Sequence, residues 1–259
     1  MRRLIALVAL LLLGSCSRWD LGVEVPFVAT WKGQPLSCES AGPALTDLRF
    51  YVDDPQLIDL EGNAHHLRYA TEFEWQNDVV ALIDLENGEG TCENGTDVFF
   101  DRLIGVTRAG SYRGLRFTVG VPFRLNHANP LTATTPLGDA AMHWHWRSGY
   151  KFLRAGVQST DDGFWIHVGS AGCDGTVGHI TDCRFPNRVE VFLPDFVPGE
   201  SVVVVELAEL LAGTNLDDGE VTNCSSGPAE DACVAPFSAL GIDFTTGKPT
   251  GAQRVFAVR

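Results

Sequence analysis

The sequence predicts an all-β protein: an antiparallel β-sandwich whose loops are stapled by disulfides. Two patterns lead to this prediction: apolar residues that alternate with polar ones or form short runs, and six cysteines that follow residue 16. Short strands without long helical periods are typical of antiparallel sandwiches and barrels. The predicted strands cover 48–52, 79–85, 115–121, 164–168, 189–193, 202–207 and 254–258, and a short helix is expected over 206–211.

The six cysteines after residue 16 are expected to pair. An even number in an oxidising compartment indicates three disulfides. Loop closure favours the near pairs Cys173–Cys183 and Cys224–Cys233, which leaves Cys38–Cys92. A site of metal-bound thiolates is the alternative, but no CxxC spacing supports it.

The N-terminus has the pattern of an export signal. Arg2 and Arg3 precede ten apolar residues, 4–13. This core is shorter than the roughly 20 residues that span a bilayer, but it suits a signal peptide over 1–15.

The segment 13–16 reads Leu-Gly-Ser-Cys and looks like the lipobox of bacterial lipoproteins. We therefore expect Cys16 to be lipidated and to anchor the mature chain through its acyl chains. Residues 16–24 would form a tether, and 25–259 the β domain. Because Ser17 and not an aspartate follows, we expect anchoring in the outer membrane, facing the periplasm or the cell surface. The alternative is an ordinary cleaved leader with an incidental cysteine.

Charge and missing motifs exclude several functions. The chain carries 33 acidic and 19 basic residues, for a net charge of −14. Such a surface repels phosphate backbones, so we expect no nucleic-acid partner; it favours cations or a partner with a basic face. The HExxH, GxSxG, Walker and Rossmann patterns are absent, which argues against common hydrolases and kinases.

Four of the seven histidines fall within about forty residues, among several tryptophans. They are His127, His143, His145 and His167. Imidazole suits copper and zinc. His127 is predicted at the end of one strand and His167 within another, so the two could converge at one rim of the sandwich.

His143 and His145 alternate with Trp144 and Trp146. In a strand this alternation places the two imidazoles on one face and the two indoles on the other. The alternative is an amphipathic edge strand with its tryptophans in the core, in which the histidines only pack and form hydrogen bonds.

Several strings, taken in order, resemble the MbnP-like copper-binding family, also described as the metallo-mystery pair four-Cys motif proteins. The similarity extends over roughly 25–211. The strings are 47–52, 75–76, 80–84, 112–117, 120–123 with 126–127, 142–146, 149–154, 167–170 with Cys173, and Cys183 with 186–188.

The resemblance implies an exported copper-binding protein and a di-haem cytochrome c peroxidase-like partner. In related proteins the partner oxidises one tryptophan to kynurenine, whose aryl amine is a nitrogen ligand that tryptophan lacks. The strings that match the family contain His127 and His167, so the resemblance makes these two the leading ligand candidates. His143 and His145 are further candidates that depart from the family pattern.

The same resemblance makes Trp144, Trp146 and Trp75 the candidates for oxidation. We therefore expect a copper protein without turnover of its own. The alternatives are a structural or adhesive envelope sandwich without metal, and a redox enzyme that uses bound copper.

Overall fold

The computed structural model describes residues 20–159, 163–214 and 223–259, which consist mainly of strands. The strands are β1 (Asp20–Trp31), β2 (Gln34–Pro35), β3 (Ala44–Asp59), β4 (Ala64–His66), β5 (Arg68–Tyr69), β6 (Val80–Asp84), β7 (Arg102–Arg108), β8 (Tyr112–Val119), β9 (His143–His145), β10 (Gly149–Gln158), β11 (Gly163–Gly169), β12 (Ala171–Thr176), β13 (His179–Phe185), β14 (Val189–Leu193), β15 (Val203–Glu206), β16 (Asn223–Cys224) and β17 (Phe256–Val258). The helices are short: α1 (Phe123–Asn126), α2 (Leu207–Leu210), α3 (Val234–Ala239), and single 3₁₀ turns at Gly90–Cys92, Ala140–Met142 and Asp231–Cys233.

Two sheets face each other and form a sandwich. One has the order β17-β15-β1-β7-β5, with β2 beside β1; the other has the order β14-β8-β3-β10-β11-β16, with β4 and β6 beside β3 and β9 beside β10. Strands β12 and β13 form a separate hairpin. The predicted all-β sandwich is confirmed. Most pairings are antiparallel, but β1 pairs with β15 and β11 with β16 in parallel.

The sandwich core lies between the two sheets and contains a group of aromatic rings. Phe27 of β1 meets Phe50 of β3 and Phe117 of β8 edge to face, with ring centroids 5.5 and 5.9 Å apart. Phe256 of β17 adds similar contacts to Phe50 and Phe117. Edge-to-face packing is the favoured geometry for such rings, so the cluster joins both sheets.

A second apolar cluster covers the outer face of the larger sheet. Consecutive residues of β3 face opposite sides, so Phe50 enters the sandwich core and Tyr51 points outward. The loop between β8 and β10 folds over this face and buries it. The members of this outer cluster are Tyr51, Val80, Leu82, Val121, Leu137, Met142, Tyr150 and Phe152.

Two tyrosine hydroxyls tie the loop down. Tyr51 donates to the carbonyl of Pro136 at 3.2 Å, and Tyr150 donates to the carbonyl of Leu137 at 2.6 Å. Both rings are fully buried, and their centroids lie 5.8 Å apart. This loop also carries His127, His143 and His145, which therefore belong to the layer outside the sandwich.

All three predicted disulfides are confirmed: Cys38–Cys92, Cys173–Cys183 and Cys224–Cys233. The expected signal peptide and the lipidation residue Cys16 lie outside the described residues. Strand β1 begins at Asp20, so residues 20–24 of the expected tether are part of the sheet and pair with β7. Within the described part of the chain, no helix is long and apolar enough to cross a membrane.

Candidate metal centre

His167 lies on the outer face of β11. Its neighbours Ile166 and Val168 point into the sandwich core, so His167 faces the other way and stands opposite Arg154 of β10. Its Nε2 is buried and has no hydrogen-bond partner among the described residues. Burial lowers the pKa of His167 to about 4, and the charges of Lys151 and Arg154 add to the effect. The imidazole is therefore neutral at ordinary pH and keeps a free lone pair.

The indole of Trp144 packs against His167. The two rings are 6.4 Å apart at their centroids and meet edge to face. Trp144 also lies over Gly169, where an added Cβ would come within 2.5 Å of the indole. A residue larger than glycine at 169 would therefore push the indole away from His167.

His143 begins β9, beside Tyr150 of β10. The two rings pack edge to face at 4.9 Å. The Nε2 atom of His143 is a second buried imidazole nitrogen without a partner in the described chain. Burial lowers its pKa, and the nearby charges of His145, His127 and Lys151 lower it further. His143 is thus also neutral, and it lies within electrostatic reach of two other candidate ligands.

His145 and Trp146 are placed differently from the predicted alternation. Strand β9 ends at His145, which is exposed, and its ring nitrogens lie 3.2 Å from the backbone nitrogen of Arg147 and 3.1 Å from the hydroxyl of Ser148. Trp146 follows in a turn, half-buried beneath the guanidinium of Arg147 at 5.0 Å. The third oxidation candidate, Trp75, instead packs between other aromatic rings, Phe100 at 4.5 Å and Phe73 at 4.7 Å.

His127 ends the one-turn helix α1, whereas the sequence predicted a strand end; β8 has already stopped at Val119. Its Nδ1 lies 3.2 Å from the carbonyl oxygen of Trp146. Its Nε2 lies 3.3 Å from the Asn126 amide and 3.5 Å from the sulfur of Cys183. Burial lowers the pKa of His127, although the bond to Trp146 acts in the opposite direction.

Asn126 is the residue that positions His127. It is buried; its amide group also donates to Ser170 at 3.3 Å, and its side-chain oxygen accepts from the backbone of Tyr150 at 3.0 Å. Helix α1 is thereby joined to β10 and to the end of β11.

A buried charge network holds the segment that leads into His143. Arg49 is fully buried and forms two bonds to Asp47, at 3.0 and 2.7 Å, and lies 3.6 Å from Asp139. Asp139 caps the backbone of Ala141 at 2.8 Å, and the carbonyl of Ala141 accepts from Lys151 at 2.6 Å. Sequence reasoning did not identify this network. Its one signal was an arginine between the apolar residues of a predicted strand.

The side chains of His143 and His167 have the chemistry of copper ligands. The two orphaned nitrogens of His143 and His167 would cost free energy as buried polar atoms unless a ligand satisfied them. Neutral imidazole suits copper, and burial keeps both rings neutral. Within the described residues, two other groups gather metal-ligating atoms, His127 with Cys173 and Cys183, and Glu230 with Cys224 and Cys233, but their cysteines are disulfide-bonded.

Comparison with known proteins identifies the family. The family model MbnP matches residues 21–226. The chain belongs to the MbnP family. The solved structure of MbnP from Methylosinus trichosporium matches with a TM-score of 0.81 and 26% sequence identity, over 93% of this chain and 98% of that chain. No curated protein matches the chain. The MbnP family is associated with copper, which agrees with the chemistry of the two orphaned imidazoles.

Proposed function

We propose that this MbnP-family chain is a copper-binding lipoprotein of the cell envelope, without turnover of its own. Its copper site would be matured when a di-haem cytochrome c peroxidase-like partner oxidises Trp144 to kynurenine. The observation that carries this proposal is the contact between Trp144 and His167, next to His143 in sequence, because each histidine has a buried Nε2 atom without a hydrogen-bond partner among the described residues.

The chain's own residues would prepare this site in two ways. Burial and the nearby cations keep His167 unprotonated, so its Nε2 can donate to a metal. The cap by Asp139 and the bond from Lys151 hold the segment before His143 against the sheet. Bound copper would supply a Lewis-acidic, redox-active ion at these nitrogens. His145 remains predicted as a further ligand, whereas the Nε2 atom of His127, also predicted from the sequence, lies 3.5 Å from the sulfur of Cys183 and is not assigned to this site.

Oxidation of Trp144 would add a nitrogen donor. Two equivalents of peroxide, the oxidant that the partner would activate, cleave the C2–C3 bond of the indole and leave two waters and a formyl group on the ring nitrogen. Hydrolysis then releases formate and frees an aryl amine beside His167. Electrons leave the indole toward the partner's haem only if the two proteins dock, and the net charge of −14 favours a partner with a basic face.

Incubation with the partner and peroxide should therefore modify Trp144 and leave Trp31 intact. Peptide mapping by mass spectrometry should find one residue that has lost a carbon and gained an oxygen. The variant Trp144→Phe should show no such peptide and no gain in copper affinity after the same treatment. Modification of Trp146 or Trp75 alone would contradict this assignment, and modification of all the tryptophans would indicate random damage.

Anchoring through Cys16 is the second part of the proposal. The variant Cys16→Ser lacks the thiol that would be acylated, so it should leave the outer-membrane fraction or keep its leader. Fractionation and intact mass measure both results, with Ser17→Ala as a control that changes the neighbouring residue and keeps the Cys16 thiol. Normal processing with unchanged membrane association would contradict lipidation.

A further inference from the structure

The structure also carries a second group of metal-ligating atoms, separate from the His143 and His167 pair. We propose that reduction of the Cys173–Cys183 disulfide creates a site for a soft metal ion, Cu(I), held by the two thiolates and His127. A ring nitrogen of His127 and the two sulfurs all lie within 4.8 Å of one another. This inference stands on its own geometry and does not need the oxidation of Trp144.

His127 is already arranged as a ligand toward the sulfurs. A carbonyl oxygen only accepts hydrogen bonds, so Nδ1, 3.2 Å from the Trp146 carbonyl, carries the ring proton. The lone pair is therefore on Nε2, which accepts from the Asn126 amide at 3.3 Å and lies 3.5 Å from the sulfur of Cys183. A bound metal ion would take the place of the amide. Metal–sulfur bonds of about 2.3 Å and metal–nitrogen bonds of about 2.0 Å place the two ligand atoms about 3.5 Å apart at a tetrahedral angle and about 3.7 Å apart at the trigonal angle of a three-ligand site.

Cys173–Cys183 is the disulfide that a reductant can reach. In the other two disulfides, Cys38–Cys92 and Cys224–Cys233, both cysteines are buried within the sandwich core. Cys183 is half-buried and lines an open surface cavity of about 640 Å³ together with Phe123, Ser170 and Asp174. The β12–β13 hairpin that carries the bond pairs with neither main sheet. Opening this disulfide would therefore leave the sandwich intact.

The redox step requires an external dithiol, of the exported thiol–disulfide oxidoreductase class. The dithiol gives two electrons and two protons; its own sulfurs join, the bond between Cys173 and Cys183 breaks, and each sulfur takes up one proton. Binding of Cu(I) then releases both protons, because thiolate and not thiol is the ligand. Thiolates select Cu(I), so the reduced hairpin would bind a metal that the disulfide does not.

The test compares Cu(I) binding before and after mild reduction of the full chain with a phosphine. Mass spectrometry after alkylation should find two new thiols, on Cys173 and Cys183, and circular dichroism should remain unchanged. In competition with a chromophoric Cu(I) chelator, the reduced protein should bind one more equivalent than the oxidised protein. His127→Ala should weaken the binding of that equivalent.

Two double variants decide the result. Cys173→Ser/Cys183→Ser should lose the added equivalent while its fold remains. His143→Ala/His167→Ala should keep the added equivalent, even if the copper bound by the oxidised protein is lost. The inference is overturned if the reduced protein gains no equivalent, or if the double serine variant gains it too. If the proposed function is wrong, His143→Ala/His167→Ala with its disulfides intact will bind as much copper as the unsubstituted protein.

Discussion

Copper binding by the protein with its disulfides intact is expected to fall at least 100-fold when His143 and His167 are both replaced by alanine. The variant removes the two buried imidazole nitrogens that have no other partner in the described chain. Loss of an outer-shell residue alone costs about 10- to 100-fold at many metal sites, so loss of two ligands should exceed that range. Competition with a chelator measures the change. His179→Ala is the matched control, because His179 is exposed at the start of β13.

The pH dependence should separate His167 from an ordinary histidine. Metal and proton compete for the same lone pair, so affinity falls once pH drops below the pKa of the ligand. From sequence alone this fall is expected near about 6.5. Burial and the adjacent cations lower the pKa of His167 to about 4. Affinity should therefore stay nearly level through 6.5 and fall as pH approaches 4. A fall centred at 6.5 would contradict this prediction and would mean that a histidine other than His167 limits copper binding.

The second large effect concerns stability. Replacement of Arg49 by methionine should lower the free energy of unfolding by about 3–5 kcal/mol, because it removes the buried cation that lies among three carboxylates and leaves Asp47 with Arg154 alone, at 2.9 Å. Asp47 pairs with Arg49 directly, and Glu86 and Asp139 lie within 3.8 and 3.6 Å. Burial, and next the charge of Glu86, already raises the pKa of the neighbouring Asp84 to about 8.

Urea unfolding measures the loss, and Arg113→Met is the matched control. Arg113 pairs with Asp195 at 2.8 Å, but both side chains are more than half exposed. Exposed pairs contribute about 0–1 kcal/mol, so the control should change little. Equal losses in the two variants would mean that burial of the Arg49 network contributes no extra stability.

The sandwich could be predicted from sequence because period-two patterning reports one buried face. Residues 189–193 show this in full: the predicted strand and β14 coincide, with Val189, Val191 and Leu193 buried and the residues between them exposed. The disulfides followed from loop length. The layer outside the sandwich could not be predicted from the sequence. A strand that is buried on both faces, such as β3, does not alternate apolar and polar residues.

The site was predictable in part. The sequence picked out the histidine and tryptophan residues, but not which of them meet. The contact between Trp144 and His167 depends on Gly169 and on the pairing of β9 with β10, which shifts register between Gly149 and Tyr150. The alternation of apolar and polar residues along the sequence does not reveal such a register shift. Similarly, His127 reaches the Cys173–Cys183 disulfide only through the tertiary contacts of Asn126.

The separation of the two apolar clusters bears on how such a protein can diverge. One sheet stands between them, so the loop over its outer face can exchange ligands or change length while the rings between the sheets keep their packing. Selection can therefore act on metal chemistry and on foldability almost independently.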